Sequence, residues 1–155
     1  DLAATITHGI SDEYAKLLAI HDWVAQNVYY DYDGMSATSY QANTAYPVYL
    51  SRRAVCQGYA ELAAALLRAS AIPARVVVGH ALGATAGVTT WAEADHSTSN
   101  HAWNEAFVNG RWVIFDATWN SGNQYTGGQF VSGALKHTFF DITLAALSLT
   151  HKIIR

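Results

Sequence analysis

The adjacent residues Asn109 and Gly110 form the feature that most constrains the fold of this 155-residue chain. An Asn-Gly pair between two apolar stretches is a strong signal for a two-residue hairpin turn, because both turn positions need a positive φ. A two-residue turn places Val108 opposite Arg111 and fixes the pairing of all residues further from the turn. We therefore expect an antiparallel hairpin that spans residues 101–119.

The register of this hairpin predicts a cluster of polar side chains. Pairing outward from the turn places Trp103 opposite Asp116, and side chains alternate between the two faces of a strand. His101, Trp103 and Asp116 then share one face, with His101 and Asp116 as diagonal neighbours about 7 to 8 Å apart at the backbone. A shift of one residue would send Asp116 to the other face. The hairpin therefore predicts a hydrogen bond between His101 and Asp116.

Cys56 is the only cysteine of the chain, and it directly precedes a run of small and apolar residues at 57–71. A helix that is apolar nearly all round packs in the middle of a domain. The start of such a helix favours a thiolate, because the helix dipole and free backbone N–H groups stabilise negative charge there. Taken alone, a cysteine in this setting is more often a small buried apolar residue. The predicted pairing of His101 with Asp116 favours a nucleophile instead.

Weaker patterns outline the rest of the chain. Apolar spacing after Gly9 predicts an amphipathic helix of about four turns, capped by Ser11. The run Val76–Val78 predicts a strand buried on both faces, and Phe130 with Val131 and residues 137–142 predict two short strands. Thr143 is expected to cap a last helix that continues to the end of the chain. Three segments are expected to be irregular or turn-like: 35–53, 82–100 and 120–128. The first of them is expected to contain one short helical turn before Pro47.

Composition limits the partners and the setting of the protein. A formal charge of −3 without a basic patch argues against nucleic acid and anionic lipid as partners. No apolar run approaches the roughly 20 residues that cross a bilayer. We expect a single domain over residues 1–155. Whether it is a trimmed mature protein or a domain excised from a longer one is left open, as is its oligomeric state. The compartment is also left open, with export or the cell envelope favoured over the cytoplasm.

A thiol, an imidazole and a carboxylate together fit acyl transfer through a thioester. Cys56 would attack a carbonyl carbon, and His101 would act as general base and then as general acid. Asp116 would accept the other ring N–H and stabilise the charged ring. The backbone N–H of Cys56 at the helix start would stabilise the oxyanion of the tetrahedral intermediate.

The same residues resemble a known family. Four segments match the bacterial transglutaminase-like proteins in order and spacing: 54–60, 72–75, 100–104 and 115–119. The first helix and the residues after it, at 20–32, resemble the segment that precedes these motifs in the family. The resemblance covers roughly residues 14 to 151 and implies an α+β, papain-like fold in which the helix that carries the cysteine packs on an antiparallel sheet. It also implies that Cys56, His101 and Asp116 occupy the catalytic positions.

The second oxyanion donor does not transfer from the family. In animal transglutaminases this donor is a Trp upstream of the nucleophile, but the only Trp before Cys56 is Trp23, which falls inside the first helix. Gln57 or Tyr46 could supply the hydrogen bond instead. Two further aromatic residues are candidates for the cleft: Trp103, next to His101, and Trp91, in a loop that could cover the site.

No metal or cofactor is expected. The chain has no acidic run with the spacing of a calcium loop. His80, His96 and His137 with Asp95 could in principle hold a metal, but they lack the spacing of known sites.

Two functions of different kinds remain open after the sequence analysis. The first is a cysteine protease, amidase or transglutaminase that acts on peptide or glutamine-type amides of a protein or peptide substrate. The second is a non-catalytic module that binds protein or glycan in the cleft of the same fold. An activated thiol would bring nothing to a binding module, which favours the enzyme.

Overall fold

The computed structural model describes residues 1–35, 40–82 and 90–154. Helices and strands alternate along this part of the chain. The helices are α1 Leu2–Ile6, α2 Glu13–Asn27, α3 Ala45–Ser51, α4 Cys56–Ala69, α5 Ala117–Asn120 and α6 Leu144–Leu147. The strands are β1 Tyr29–Asp31, β2 Arg53–Ala54, β3 Ala74–Ala81, β4 His101–Val108, β5 Arg111–Phe115, β6 Gln124–Thr126, β7 Gln129–Val131 and β8 His151–Ile153. Short 3-10 turns occupy Gln41–Asn43 and Trp91–Glu93.

The larger sheet is antiparallel, with the strand order β5-β4-β3-β8. Strands β4 and β5 form the predicted hairpin, in which Val108 pairs with Arg111 and Asn104 pairs with Phe115. Asn109 and Gly110 have φ angles of 48° and 82°. These two positive angles match the turn that an Asn-Gly pair favours. The predicted turn and the register of residues 104–115 are confirmed. The second strand was expected to continue to Trp119, but it ends at Phe115, and Asp116 caps the short helix α5 through its side chain.

Helix α4 lies against one face of this sheet and forms the main core with it. Leu62, Ala63 and Leu67 of the helix are buried in one cluster with Val113 and Phe115 of the hairpin. Burial of such side chains contributes about 1.5 to 3 kcal/mol for each large apolar residue. The α+β fold with a cysteine-bearing helix on an antiparallel sheet is confirmed.

A second, mixed sheet with the order β2-β1-β6-β7 lies beside the start of α4. Strands β1 and β2 are parallel, and Tyr30 of β1 is the partner of Ala54 in β2. Neighbouring strands are about 4.8 Å apart. Because β2 leads directly into Cys56 through Val55, the pairing holds Tyr30 near the nucleophile candidate.

Two sequence predictions about local structure need correction. The second helix starts as expected, but its cap is Asp12 rather than Ser11: Asp12 Oδ2 accepts the backbone N–H of Ala15 at 2.8 Å. Strand β3 is not buried on both faces, since Val77 is 7% exposed and Val78 is 46% exposed. Only one side of this strand is covered at that point, so its β-branched run reflects strand propensity rather than full burial.

The end of the chain differs most from the expectation. Residues 137–142 form no strand and contribute one isolated bridge, between Phe140 and Phe115. Thr143 does cap a helix, with its Oγ1 accepting from Ala146 N at 3.1 Å, but this helix ends at Leu147. The chain then forms β8 at the edge of the larger sheet. The predicted strand at Phe130 and Val131 is confirmed as β7.

The segments expected to be irregular contain short elements. Helix α3 includes Pro47 and is longer than the single turn expected before it. The segment 120–128 contains β6, which joins the second sheet by pairing with β1 and β7. Helix α1 was not predicted. Of the two long loops, residues 36–39 and 83–89 lie outside the described part of the chain.

None of the described helices combines the length and the hydropathy that a membrane span requires.

Candidate active site

Cys56 is the first residue of α4 and is half-buried. The chain before it is held in place because Val55 donates its backbone N–H to Asn43 Oδ1 at 3.0 Å. The first turn of α4 packs so tightly that a Cβ at Gly58 would come within 2.5 Å of the Ala54 side chain. The first N–H groups of a helix have no partner inside the helix. The thiol therefore stands at a tightly packed helix start, beside backbone N–H groups that have no acceptor within the helix.

His101 opens β4, and Asp116 follows β5 at the other end of the hairpin. His101 Nε2 lies 2.6 Å from Asp116 Oδ2, and both side chains are buried. Asp116 also accepts the N–H of Trp119 through Oδ1 at 3.2 Å, and its own N–H donates to the Phe139 carbonyl. Because Asp116 occupies Nε2, Nδ1 is the ring nitrogen left for Cys56.

The charges of this group support one another. Burial lowers the pKa of His101, but the charge and hydrogen bond of Asp116, together with those of Cys56, raise it to about 10. Burial raises the pKa of Asp116, while His101 and His151 lower it to about 2 through hydrogen bonds and charge. At neutral pH the pair is therefore an imidazolium and a carboxylate. An imidazolium beside a thiol favours the thiolate.

His151 is a partner of Asp116 that the sequence analysis missed. Its Nε2 lies 2.9 Å from Asp116 Oδ2, and its Nδ1 lies 2.8 Å from Thr150 Oγ1. The His151 ring is fully buried, and it packs 5.6 Å from the ring of His101 and 4.5 Å from that of Trp119. His151 lies on β8, in the part of the chain that the sequence predicted as the end of the last helix. No sequence signal pointed to this contact.

Two clefts meet at Cys56 and His101. The larger has a volume of about 790 Å³, and its lining includes Tyr30, Trp119 and Lys136. The smaller has a volume of about 470 Å³, and its lining includes Val76, Val78 and the acidic residue Glu61. Both clefts have Cys56 and His101 in their lining.

The remaining candidates from the sequence lie at different distances from the site. Gln57 lines the smaller cleft beside Cys56. Tyr46, on α3, is 68% exposed and packs near Tyr49. Trp91 stacks on His96 with ring centroids 3.9 Å apart. Trp103 is buried and stacks behind His101 at 5.9 Å. Among the residues that the structure describes, Tyr46, Trp91 and Trp103 line neither of the two clefts.

Within the described ranges, two groups of three side chains have the proximity of metal ligands: His101, Asp116 and His151, and His21, Asp22 and His137. In the first group both imidazoles point Nε2 at the same carboxylate oxygen. His137 thus lies with Asp22 and His21 rather than with His80 and His96.

Hydrogen bonds fix the tautomer in the second of these groups. The Phe139 N–H donates to Asn120 Oδ1, so Asn120 Nδ2 donates to His21 Nε2 at 2.9 Å. His21 then carries its proton on Nδ1, which lies 2.8 Å from Asp22 Oδ1. A metal on Nδ1 would move this proton to Nε2, where it would face the Asn120 N–H donor. The geometry therefore fits a hydrogen-bonded relay that joins α2, α5 and the loop after β7.

Comparison with known proteins identifies the family and related folds. Residues 1–117 match the Transglutaminase-like superfamily. A crystal structure of a proposed cysteine protease from Cytophaga hutchinsonii superposes with a TM-score of 0.59 and 30% identity, and the match covers 99% of this chain and 44% of that one. The periplasmic domain of TgpA from Pseudomonas aeruginosa superposes with a TM-score of 0.52 and 24% identity, over 76% of this chain and 41% of that one.

The match to the superfamily spans most of the chain, and the chain therefore belongs to the transglutaminase-like superfamily. Among proteins of described function, it is similar to the kyphoscoliosis peptidase of Mus musculus, with 26% identity over 122 residues. That match covers 79% of this chain but only 18% of the peptidase. The chain thus corresponds to a small part of its larger relative.

Proposed function

We propose that the protein is a cysteine enzyme that cleaves or transfers the acyl group of peptide or glutamine-type amides through a thioester on Cys56. The observation that carries the proposal is the buried His101–Asp116 pair beside a half-buried cysteine at a helix start, where two clefts meet. The superfamily and the proposed cysteine protease of Cytophaga hutchinsonii support this class of reaction.

The reaction follows from the roles of the three side chains. The Cys56 thiolate attacks the carbonyl carbon, a C–S bond forms, and the carbonyl electron pair moves to oxygen. The intermediate collapses, and His101 donates its proton from Nδ1 to the leaving amine. Water or an amine then attacks the thioester while His101 accepts its proton, and collapse of the second intermediate breaks the C–S bond and releases the Cys56 thiolate. Asp116 holds the ring through Nε2 and stabilises the imidazolium in each step.

We favour hydrolysis over cross-linking, so that the protein acts as a protease or amidase. The kyphoscoliosis peptidase, by its name, is a peptidase, and the sequence has no calcium loop that would link transfer to a signal. An exported or cell-envelope setting is part of the proposal, and fractionation of cells that express the native chain tests it.

Mass spectrometry of a trapped intermediate tests the proposed function. The protein is mixed with a library of peptide amides, quenched in acid and digested, with and without an added primary amine. We expect an acyl group on the Cys56 peptide of the wild-type protein and no adduct in Cys56→Ala. If the protein transfers acyl groups to amines, the added amine should speed the loss of this group; if it only hydrolyses, the amine should have no effect. A folded wild-type protein that never carries an acyl group, while its cleft retains peptides, would support the binding module instead.

A further inference from the structure

We infer that Tyr30 is the second oxyanion donor, and that its hydroxyl group binds the developing negative charge on the substrate carbonyl together with the Cys56 backbone N–H. This assignment rests on the proposed function and names a catalytic residue for it. It replaces Gln57 and Tyr46 as candidates for the role.

The position of Tyr30 is fixed by strand pairing. Tyr30 pairs with Ala54 of β2, two residues before Cys56. Two residues of extended chain span about 7 Å, which is close to the reach of a tyrosine side chain. Tyr30 lines the larger cleft together with Cys56 and His101. Its ring is flanked by the rings of Tyr59 and Tyr32, at 6.4 Å and 4.9 Å between centroids. The phenol is therefore held by packing on the side of the cleft where the thiol stands.

The Tyr30 hydroxyl is available for a substrate. Across residues 1–35, 40–82 and 90–154 no group forms a hydrogen bond with it, whereas Tyr59 donates its hydroxyl to the Val28 carbonyl at 3.0 Å. Burial raises the pKa of Tyr30 to about 12, and the charge of Cys56 contributes to this rise. The group thus stays protonated, as a donor must, and it lies close enough to Cys56 to be affected by its charge.

The other candidates fit the role less well. Gln57 lines the smaller cleft and not the larger one, whose lining includes Tyr30. Tyr46 lines neither cleft and is 68% exposed, so its hydroxyl is hydrated. An oxyanion donor acts through its fixed position. Packing against Tyr59 and Tyr32 holds the partly buried ring of Tyr30 in place.

Two thiol reagents test the assignment, because only one of them reacts through an oxyanion. p-Nitrophenyl acetate acylates the thiolate: the C–S bond forms, the carbonyl electrons move to oxygen, and collapse expels p-nitrophenolate. Iodoacetamide alkylates the same thiolate by displacement of iodide and forms no oxyanion. Tyr30→Phe removes one oxygen atom that forms no hydrogen bond with the described residues, so we expect the fold to be retained. Tyr29→Phe, on the same strand but outside both clefts, is the matched control, and Gln57→Ala tests the competing donor.

We expect Tyr30→Phe to slow the p-nitrophenolate burst about 100-fold, in the range found when one oxyanion donor is removed, and to leave the iodoacetamide rate unchanged. Tyr29→Phe should change the burst less than about threefold, and Gln57→Ala should slow it much less than Tyr30→Phe does. An unchanged burst in Tyr30→Phe, equal slowing of both reagents, or a large loss in Gln57→Ala alone would overturn the assignment. A wild-type protein that reacts with iodoacetamide but releases no p-nitrophenolate and carries no acetyl group on Cys56 would overturn the proposed function and, with it, the role of Tyr30.

Discussion

Replacement of His151 by phenylalanine tests how much the buried carboxylate depends on its second imidazole. The change keeps a ring of similar size and removes the 2.9 Å hydrogen bond to Asp116 Oδ2. A hydrogen bond to a charged group contributes about 1.5 to 3 kcal/mol, and the loss leaves a buried charge with fewer donors. We therefore expect a loss of about 2 kcal/mol at pH 7, which for a chain of this size lowers Tm by roughly 4 to 8 °C.

The pH dependence of this loss identifies its origin. Burial raises the pKa of Asp116, but His101 and His151 lower it to about 2, below its ordinary value of 3.8. A group whose pKa is lower in the folded state stabilises the fold above its ordinary pKa, and this contribution disappears as the pH falls through the folded value. Without His151 the pKa of Asp116 lies closer to its ordinary value. The difference between wild type and variant should therefore be largest above about pH 5 and shrink between about pH 4 and pH 2.

Urea unfolding across this pH range provides the measurement. His80→Phe is the matched control, because His80 is also buried in the larger sheet but its Nδ1 lies 3.1 Å from a neutral group, the Thr98 carbonyl. His151→Gln, which keeps an N–H donor, should recover part of the lost stability. A loss in His151→Phe no greater than that in His80→Phe, or one that is equal at all pH values, would refute this reasoning.

Three further changes have defined outcomes. Gly58→Ala should lower the unfolding free energy by about 1 to 3 kcal/mol in urea, because the new Cβ has another side chain within 2.5 Å; a neutral result would contradict the tight packing at the start of α4. Asn104→Ala should cost about 1 to 3 kcal/mol in the same assay, since this buried side chain donates to two backbone carbonyl groups, one at 2.9 Å; an unchanged midpoint would show that water replaces it. Burial lowers the pKa of His101, and Asp116 raises it. Asp116→Asn should therefore move the alkaline limb of the kcat/KM profile to lower pH. An unshifted limb would mean that the pKa of another group determines it.

The part of the site that lies on the hairpin could be predicted from the sequence. The Asn109-Gly110 turn fixes the register, and the two-residue period of a strand then decides which side chains share a face. These two rules are local, and they are enough to bring His101 and Asp116 together across 15 residues of chain. The small and apolar residues after Cys56 likewise predict a buried helix without knowledge of its neighbours.

The rest depends on contacts between distant parts of the chain. His151 reaches Asp116 only because the three-residue strand β8 adds to the far edge of the sheet, and so short a strand has too few residues to show a period. Tyr30 reaches the cleft through a parallel pairing with β2, which consists of two residues. The exposure of Val78 depends on what covers the outer face of the sheet. No property of residues 76–78 alone reveals that.

The alkylation rate of Cys56 measures most directly whether His101 activates the thiol. Wild-type protein and His101→Ala are treated with iodoacetamide at pH 7, and modification of the Cys56 peptide is followed by mass spectrometry. Circular dichroism confirms that the variant is folded. If the imidazolium of His101 stabilises the thiolate, wild type should react about tenfold faster or more. Equal rates in two folded proteins would contradict the claim that this histidine and this cysteine form a catalytic pair.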